Sequence, residues 1–349
     1  MHIPDGYLSP QTNAVLGVAS ALAAVGATYK ASANVRAKYI PLLSMGAAFS
    51  FTVMMFNIPI PDGTTAHATG GALLSILLGP WAAMIGMSIA LAIQALFFGD
   101  GGVLALGANI FNMGVILPFV SFLVYRLVAG KSDVLSKRRV IAAALAGYIG
   151  LNIAALTAAI EFGIQPLLFH TPDGTPLYSP YGLNIAVPAM AFAHLTIAGP
   201  VEGLITALVV AYLQRSHSSL LELQSSTQTV SSHHFGKTII TVLVILALLS
   251  PLGLLAAGTA WGEWSTEEIQ SELGYIPAGM AKFAEFWQHS LFADYAIPGL
   301  EQSFWHQALA YILSAFVGFV LIGLTGYILY RTFAKGEDRN ESTSLASRR

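Results

Sequence analysis

A chain of 349 residues with 55% hydrophobic and 10% charged residues and a mean hydropathy of +0.66 has too little polar surface for a water-soluble globule of this length. The formal net charge of −2 offers no basic excess for nucleic acid, and the absence of cysteine excludes disulfides, thiolate metal sites and cysteine nucleophiles. The composition is that of an all-α, polytopic membrane protein.

The opening "MHIPDGYLSP" lacks the basic stretch, apolar run and small-residue cleavage site of a signal peptide. Met1 is expected to stay, because an initiator methionine is removed ahead of a small residue and His2 is large. Apolar stretches long enough to cross hydrocarbon lie near 13–29, 40–58, 81–98, 103–127, 140–162, 184–213, 238–258 and 306–330. Between the second and third, the shorter "HATGGALLSILLGP" closes on Gly79-Pro80 and reads as a short span or a half-membrane helix sheltered by its neighbours.

Counting that stretch as crossing gives about nine transmembrane segments in one helical bundle. Lys30, Arg36 and Lys38 then share a side with Arg126, Lys131, Lys137, Arg138 and Arg139, with Arg215, and with Arg331, Lys335 and Arg339. The positive-inside rule makes that side cytoplasmic, so the amino terminus is expected outside and the carboxyl terminus in the cytoplasm. Residues 1–215 read as one membrane domain and 216–237, polar and serine-rich, as a cytoplasmic linker. Residues 238–335 read as a two-helix module with an outer loop, and 336–349, which have little apolar content to bury, as a disordered tail.

Pro-Asp-Gly occurs at 4–6, 61–63 and 172–174, each time as a turn signal on the outer side. The first two stand beside His2 and His67. A histidine at position two has a particular chemistry. The terminal amine, the His2 peptide nitrogen and the His2 Nδ1 can close two adjacent chelate rings around one ion, a strong in-plane nitrogen field that suits square-planar Ni(II) or Cu(II). Three corners are then filled, and His67, following a turn and opening an apolar helix, is the best candidate for the fourth.

"MHIPDGYLSP", "PDGTTAHATGG", "GGVLALGANIFNMG" and "AHLTIAGPVEGLITALVV" resemble the CbiM and NikM family, the substrate-specific membrane components of energy-coupling factor transporters for cobalt and nickel. The resemblance runs from residue 1 to about 215. The region with "AAGTAWGEWSTEEIQSELGYIPAGM" and "FADYAIPGLEQSFW" resembles the CbiN or NikN type of auxiliary module, fused to the carboxyl side. The resemblance implies metal binding by Met1, His2 and His67, with Ni(II) or Co(II) as cargo and no permanently bound cofactor. It implies as partners a transmembrane coupling protein and two cytoplasmic ATPases, in a bacterial or archaeal cytoplasmic membrane. The chain has no phosphate-cradling loop of its own: the required glycine position ahead of Gly130-Lys131-Ser132 and Gly236-Lys237-Thr238 holds Tyr125 and Ser231.

Other constellations leave alternatives open. His194 and Glu202, eight residues apart on one span, serve either beside the metal or as structural hydrogen-bonding groups. Asn109 and Asn112, three apart on a shared helix face, either orient His67 or join helices. Glu161 reads as a solvated end of its span. Ala19, Ala23, Ala27 and Ala31 form a small-residue stripe for docking or for internal packing. Glu263, Glu267, Glu268, Glu272 and Asp294 read as an acidic solvated loop or a cation attractor. The rival to an ATPase-driven component is a cation-coupled secondary transporter, which predicts matching internal halves that the sequence does not display. An intramembrane metalloenzyme lacks any ligand-plus-base spacing.

Overall fold

A computed structural model describes residues 1–34, 40–61, 63–222, 233–256 and 258–346. The amino-terminal segment 1–9 is buried almost throughout and leads into helix α1 (Pro10–Asn34). Next come α2 (Ile40–Met54) and a small antiparallel hairpin of β1 (Ile58–Ile60) and β2 (Thr64–Ala66), in the register Ile58 to Ala66 and Ile60 to Thr64. Helix α3 (Gly71–Leu78) ends at Gly79, whose φ of +84° breaks the helix, and Pro80 starts α4 (Pro80–Ile93).

Helix α4 ends in a π-helical turn, Gln94–Phe98. The next span joins α5 (Leu106–Asn109), a π-helical stretch Ile110–Ile116 and α6 (Leu117–Ala129). Then follow α7 (Lys137–Gly163), the short α8 (Gln165–Leu168), and a span made of α9 (Leu183–Ala193), a π turn His194–Ala198 and α10 (Gly199–Ser216). The carboxyl-terminal unit has α11 (His233–Leu249), two short loop helices α12 (Thr266–Leu273) and α13 (Ala278–Phe283), and α14 (Phe304–Ala346).

Seven of these helical stretches are long and apolar enough to cross a membrane. Helix α2, with 15 residues, and α3, with eight, are shorter than such a span. At a rise of about 1.5 Å per residue, α3 reaches roughly 12 Å, the dimension of a half-membrane helix. It is enclosed by α4, α6 and α7, which shelter its ends from lipid.

Small residues set how closely the spans approach. Helix α7 lies against α6, α9 and α10 through Ala143, Ala146, Gly147, Gly150 and Ala154, all buried at helical spacing. A methyl group at Gly147 would come within 2.9 Å of the Glu202 carbonyl oxygen, so the α7–α10 contact depends on glycine there. Helix α1 turns Ser20 and Ala27 inward, with the Ser20 hydroxyl donating to the Gly107 carbonyl at 2.7 Å, while Val15, Val18, Leu22 and Val25 face outward. Ala27 therefore serves internal packing; Ala19 and Ala23 are half-buried.

All three Pro-Asp-Gly turns place their glycine at positive φ: Gly6 at +87°, Gly63 at +77° and Gly174 at +88°. Asp62 lies outside the described residues, as do Arg36, Lys38 and the 223–232 part of the 216–237 linker. The tail read as disordered continues as helix through Ala346. A helix already nucleated in the long apolar span extends at the cost of one residue at a time, which the composition of the tail alone does not reveal.

Candidate metal site

The amino-terminal segment is fastened at every residue around His2. The Asn109 side chain clamps Ile3 from both directions: Ile3 N–H donates to Asn109 Oδ1 at 2.7 Å, and Asn109 Nδ2 donates to the Ile3 carbonyl at 3.1 Å. The Gly102 amide donates to the same carbonyl at 2.8 Å. The Asp5 carboxylate accepts from the amides of Val103, Leu104 and Ala105, at 3.1, 2.8 and 3.2 Å. Burial raises Asp5 above the ordinary carboxylate range, and these three amide bonds act in the opposite direction. Met1, His2 and Ile3 are all buried as a result.

The hairpin delivers the second imidazole. His67 follows β2 directly and precedes α3 by four residues, so it belongs to an extended segment and does not open a helix as the sequence reading expected. The strands are too short to show an alternating pattern. Glu202, wholly buried at the start of α10, accepts from the amides of Thr69 at 2.6 Å, Gly70 at 2.9 Å and Ala72 at 3.3 Å. Its carboxylate thereby fixes the turn that carries His67 and caps the positive end of α3.

The rings of His2 and His67 stack with centroids 5.0 Å apart and planes at 28°. His67 Nδ1 lies 3.0 Å from the Ala68 carbonyl, an oxygen that can only accept. Nδ1 therefore carries the proton and Nε2 holds a free lone pair. His2 Nδ1 lies 3.1 Å from Asp100 Oδ1. Both Nε2 atoms are buried, and among the described residues neither has a hydrogen-bond partner. Burial, joined by the positive terminus, lowers the His2 pKa to about 4, so the imidazole is neutral near pH 7.

Two carboxylates complete the arrangement. The Met1 ammonium donates to Glu263 Oε1 at 2.6 Å. Asp100 accepts from the Tyr295 hydroxyl at 2.5 Å and from Gln94 Nε2 at 3.1 Å. Burial raises Asp100, with the Tyr295 hydrogen bond and the charged terminus pulling it back. One donor atom each from His2, His67 and Glu263 lie within 4.8 Å of one another, beside a cavity of about 300 Å³ that Asp100, Asp294 and Tyr295 also line.

The remaining sequence candidates separate. His194 Nδ1 lies 2.8 Å from the Met190 carbonyl within its own span. Asn109 and Asn112 do not act together: Asn112 Nδ2 donates to Glu161 Oε2 at 2.7 Å, far along the chain from Asn109's hold on Ile3. The π-helical turn that begins between them changes the helical register on which the shared face was reasoned. Glu161 is buried, not solvated, because Asn112 partners it. His170, His289 and His306 are exposed; His170 and His306 bond locally, and His289 meets the Trp287 ring edge-on. Asp100 and Tyr295 escaped the sequence reading, since nothing in "FFGDGG" or "FADYAIPGL" distinguishes them from loop residues.

A membrane-embedded helical bundle with a buried group of metal-ligating side chains at one end is the class of protein these features define. Residues 2–220 match the family described as cobalt uptake substrate-specific transmembrane region, CbiM, and residues 236–335 match the PDGLE domain. The chain belongs to the CbiM family, with a PDGLE domain fused after it. It is 49% identical over 337 residues to the fused nickel transport protein NikMN of Rhodobacter capsulatus, covering 92% of this chain and 95% of that one. It is 44% identical to the probable fused nickel transport protein LarMN of Lactiplantibacillus plantarum over 99% of both chains. A crystal structure of a truncated transition metal transporter is similar at 58% identity with a TM-score of 0.58, over 62% of this chain and all of that one.

Proposed function

We propose that this chain is the substrate-specificity component of an energy-coupling factor system, taking Ni(II) or Co(II) from the outer face, with a transmembrane coupling protein and two ATPases driving its release inward. The observation that carries the reading is the convergence of the Met1 amine, His2 and His67, with both imidazole Nε2 atoms unpartnered in a buried place. The two ends of the expected chelate lie against carboxylates: the amine against Glu263 and His2 Nδ1 against Asp100. An arriving ion completes the chelate when the Met1 ammonium and the His2 peptide nitrogen each give up a proton to water or to the neighbouring carboxylates, Glu263 and Asp100 leave those nitrogens, and His67 takes the fourth corner. Asn109 and Glu202 hold the two strands of chain on which these ligands sit.

Neutral and anionic nitrogen donors in one plane favour Ni(II) over Co(II), and would favour Cu(II) still more, so metal availability contributes to selection. The relatives named as nickel transport proteins support a metal of this group. The test is the metal content of the purified full chain beside a variant with one residue inserted between Met1 and His2. Loss of loading is expected, because the insertion breaks the adjacent chelate rings while keeping both side chains. Equal loading would overturn the assignment. Uptake into vesicles with and without the ATPases separates the proposed system from a cation-coupled transporter.

A further inference from the structure

The outer loop of the carboxyl-terminal unit brings a carboxylate to the place where the amino-terminal unit keeps two imidazole nitrogens unpartnered. One ring nitrogen each of His2 and His67 and a carboxylate oxygen of Glu263 lie within 4.8 Å of one another, and among the described residues neither imidazole Nε2 has a hydrogen-bond partner. Both nitrogens are buried, whereas the Glu263 side chain is 19% exposed and lines the cavity wall. An ion with bonds of about 2 Å spans roughly 3 to 4 Å between its ligands, so small side-chain rotations close the set. We propose that Glu263 is a ligand of the incoming ion, forming with one ring nitrogen each from His2 and His67 a three-donor entry set that precedes the chelate on Met1 and His2.

This inference rests on the reading of the site given under Proposed function. A carboxylate at the cavity wall can meet a hydrated ion by exchanging one water while the others remain. The terminal amine cannot do so, because it is engaged at 2.6 Å with this same carboxylate. When Glu263 turns to the ion, the Met1 ammonium loses its counter-ion and can release its proton to water as the metal comes within reach. Asp294, from the same unit, and Asp100 line the cavity and give it a negative wall that favours cations. The alternative role for Glu263, a simple counter-ion for the amine, predicts the opposite kinetics: its removal would liberate the amine and leave loading as fast or faster.

The test mixes Ni(II) with the full chain in lipid nanodiscs and follows the absorption of the final nickel–nitrogen complex by stopped flow. Loading of Glu263→Gln is expected to be at least tenfold slower, with Glu263→Asp intermediate. The exposed Glu267→Gln, which alters loop charge away from the site, is expected to load at the wild-type rate. A Glu263→Gln rate equal to or above the wild type, or a loss matched by Glu267→Gln, overturns the ligand role. If Glu263→Gln does not fold, judged by its melting curve, the Glu263→Asp rate decides: a wild-type rate overturns the proposal and a slower one supports it. Wild-type protein that takes up no Ni(II) would instead overturn the reading of the site itself.

Discussion

Glu202 accepts from three amides and, among the described residues, pairs with no cation; two of those amides, Thr69 and Gly70, follow His67 by two and three residues. Hydrogen bonds to a charged group contribute about 1.5–3 kcal/mol each, and the amide of a glutamine would turn one donor toward backbone donors. Glu202→Gln is expected to lower the melting temperature and to weaken equilibrium Ni(II) binding by roughly 10- to 100-fold, the usual effect of losing a group that orients a ligand. Calorimetric melting and a metal titration measure the two effects, and unchanged affinity would detach Glu202 from the site. His2 provides a second prediction at this scale. Its pKa falls from an ordinary 6.5 to about 4 in the folded chain, so between those values the undocked segment binds more protons than the docked one. Docking is thus fully stable above pH 6.5 and loses stability as the pH falls, by about 2 kcal/mol at pH 5 from this group. Protease cleavage near Gly6 in metal-free protein is expected to accelerate between pH 7 and pH 5; a flat profile would refute the assignment. At the residue scale His2 and His67 were legible because their position and turn context are local. Glu263 was legible only as one acid among several, since its contact with Met1 closes across 262 residues of sequence.

Among the elements, the three π-helical turns stand out by what they carry. Gln94, Asn112 and His194 all lie in or at the start of such a turn, and each is buried. A π turn inserts a residue into the helical ladder and redirects the side chains around it, which is why these turns recur at functional sites. Sequence periodicity registers apolar faces over many residues and does not detect a single inserted residue, so Asn109 and Asn112 read as sharing a face. The long spans were legible from hydropathy, and the three turns from Pro-Asp-Gly, because both signals are local and strong. The hairpin 58–66 was not, since three-residue strands contain no measurable alternation. The docked amino-terminal segment leads to a further prediction. A methyl group on Gly102 would collide with both the carboxylate and the amide nitrogen of Asp5 and leave no room for the loop that receives residues 3–5. Gly102→Ala is expected to undock the segment and to cut Ni(II) affinity by at least tenfold while the apolar spans stay folded. Circular dichroism with a metal titration checks both halves of that statement.

At the scale of the whole molecule the bundle has two chemically different ends. At one end the loop with Lys131 joins α6 to α7, whose first turn carries Lys137, Arg138 and Arg139, and Gln214 at the close of α10 donates to the carbonyls of Val134 and Ser136 at 2.6 and 3.0 Å, which puts Arg215 at the same end. At the other end the outer loop covers the amino terminus: Tyr7 donates to the Trp264 carbonyl at 2.8 Å, Trp287 to the Leu96 carbonyl at 3.0 Å, and the Met280 amide to the Leu177 carbonyl at 3.0 Å. On the orientation that the positive-inside rule predicts, the basic end is the cytoplasmic one and the cluster of His2, His67 and Glu263 opens outward, which labelling from one side can test. Because the chain has no cysteine, its sidedness can be measured without first removing any. Leu135, 61% exposed in the basic loop, and Leu291, 63% exposed in the outer loop, are suitable reporters. In intact cells an impermeant thiol reagent is expected to label Leu291→Cys and to spare Leu135→Cys, with both labelled after the membrane is opened. Labelling of Leu135→Cys alone in intact cells would invert the bundle. The cluster would then face the cytoplasm, and capture of metal from outside would no longer fit this protein.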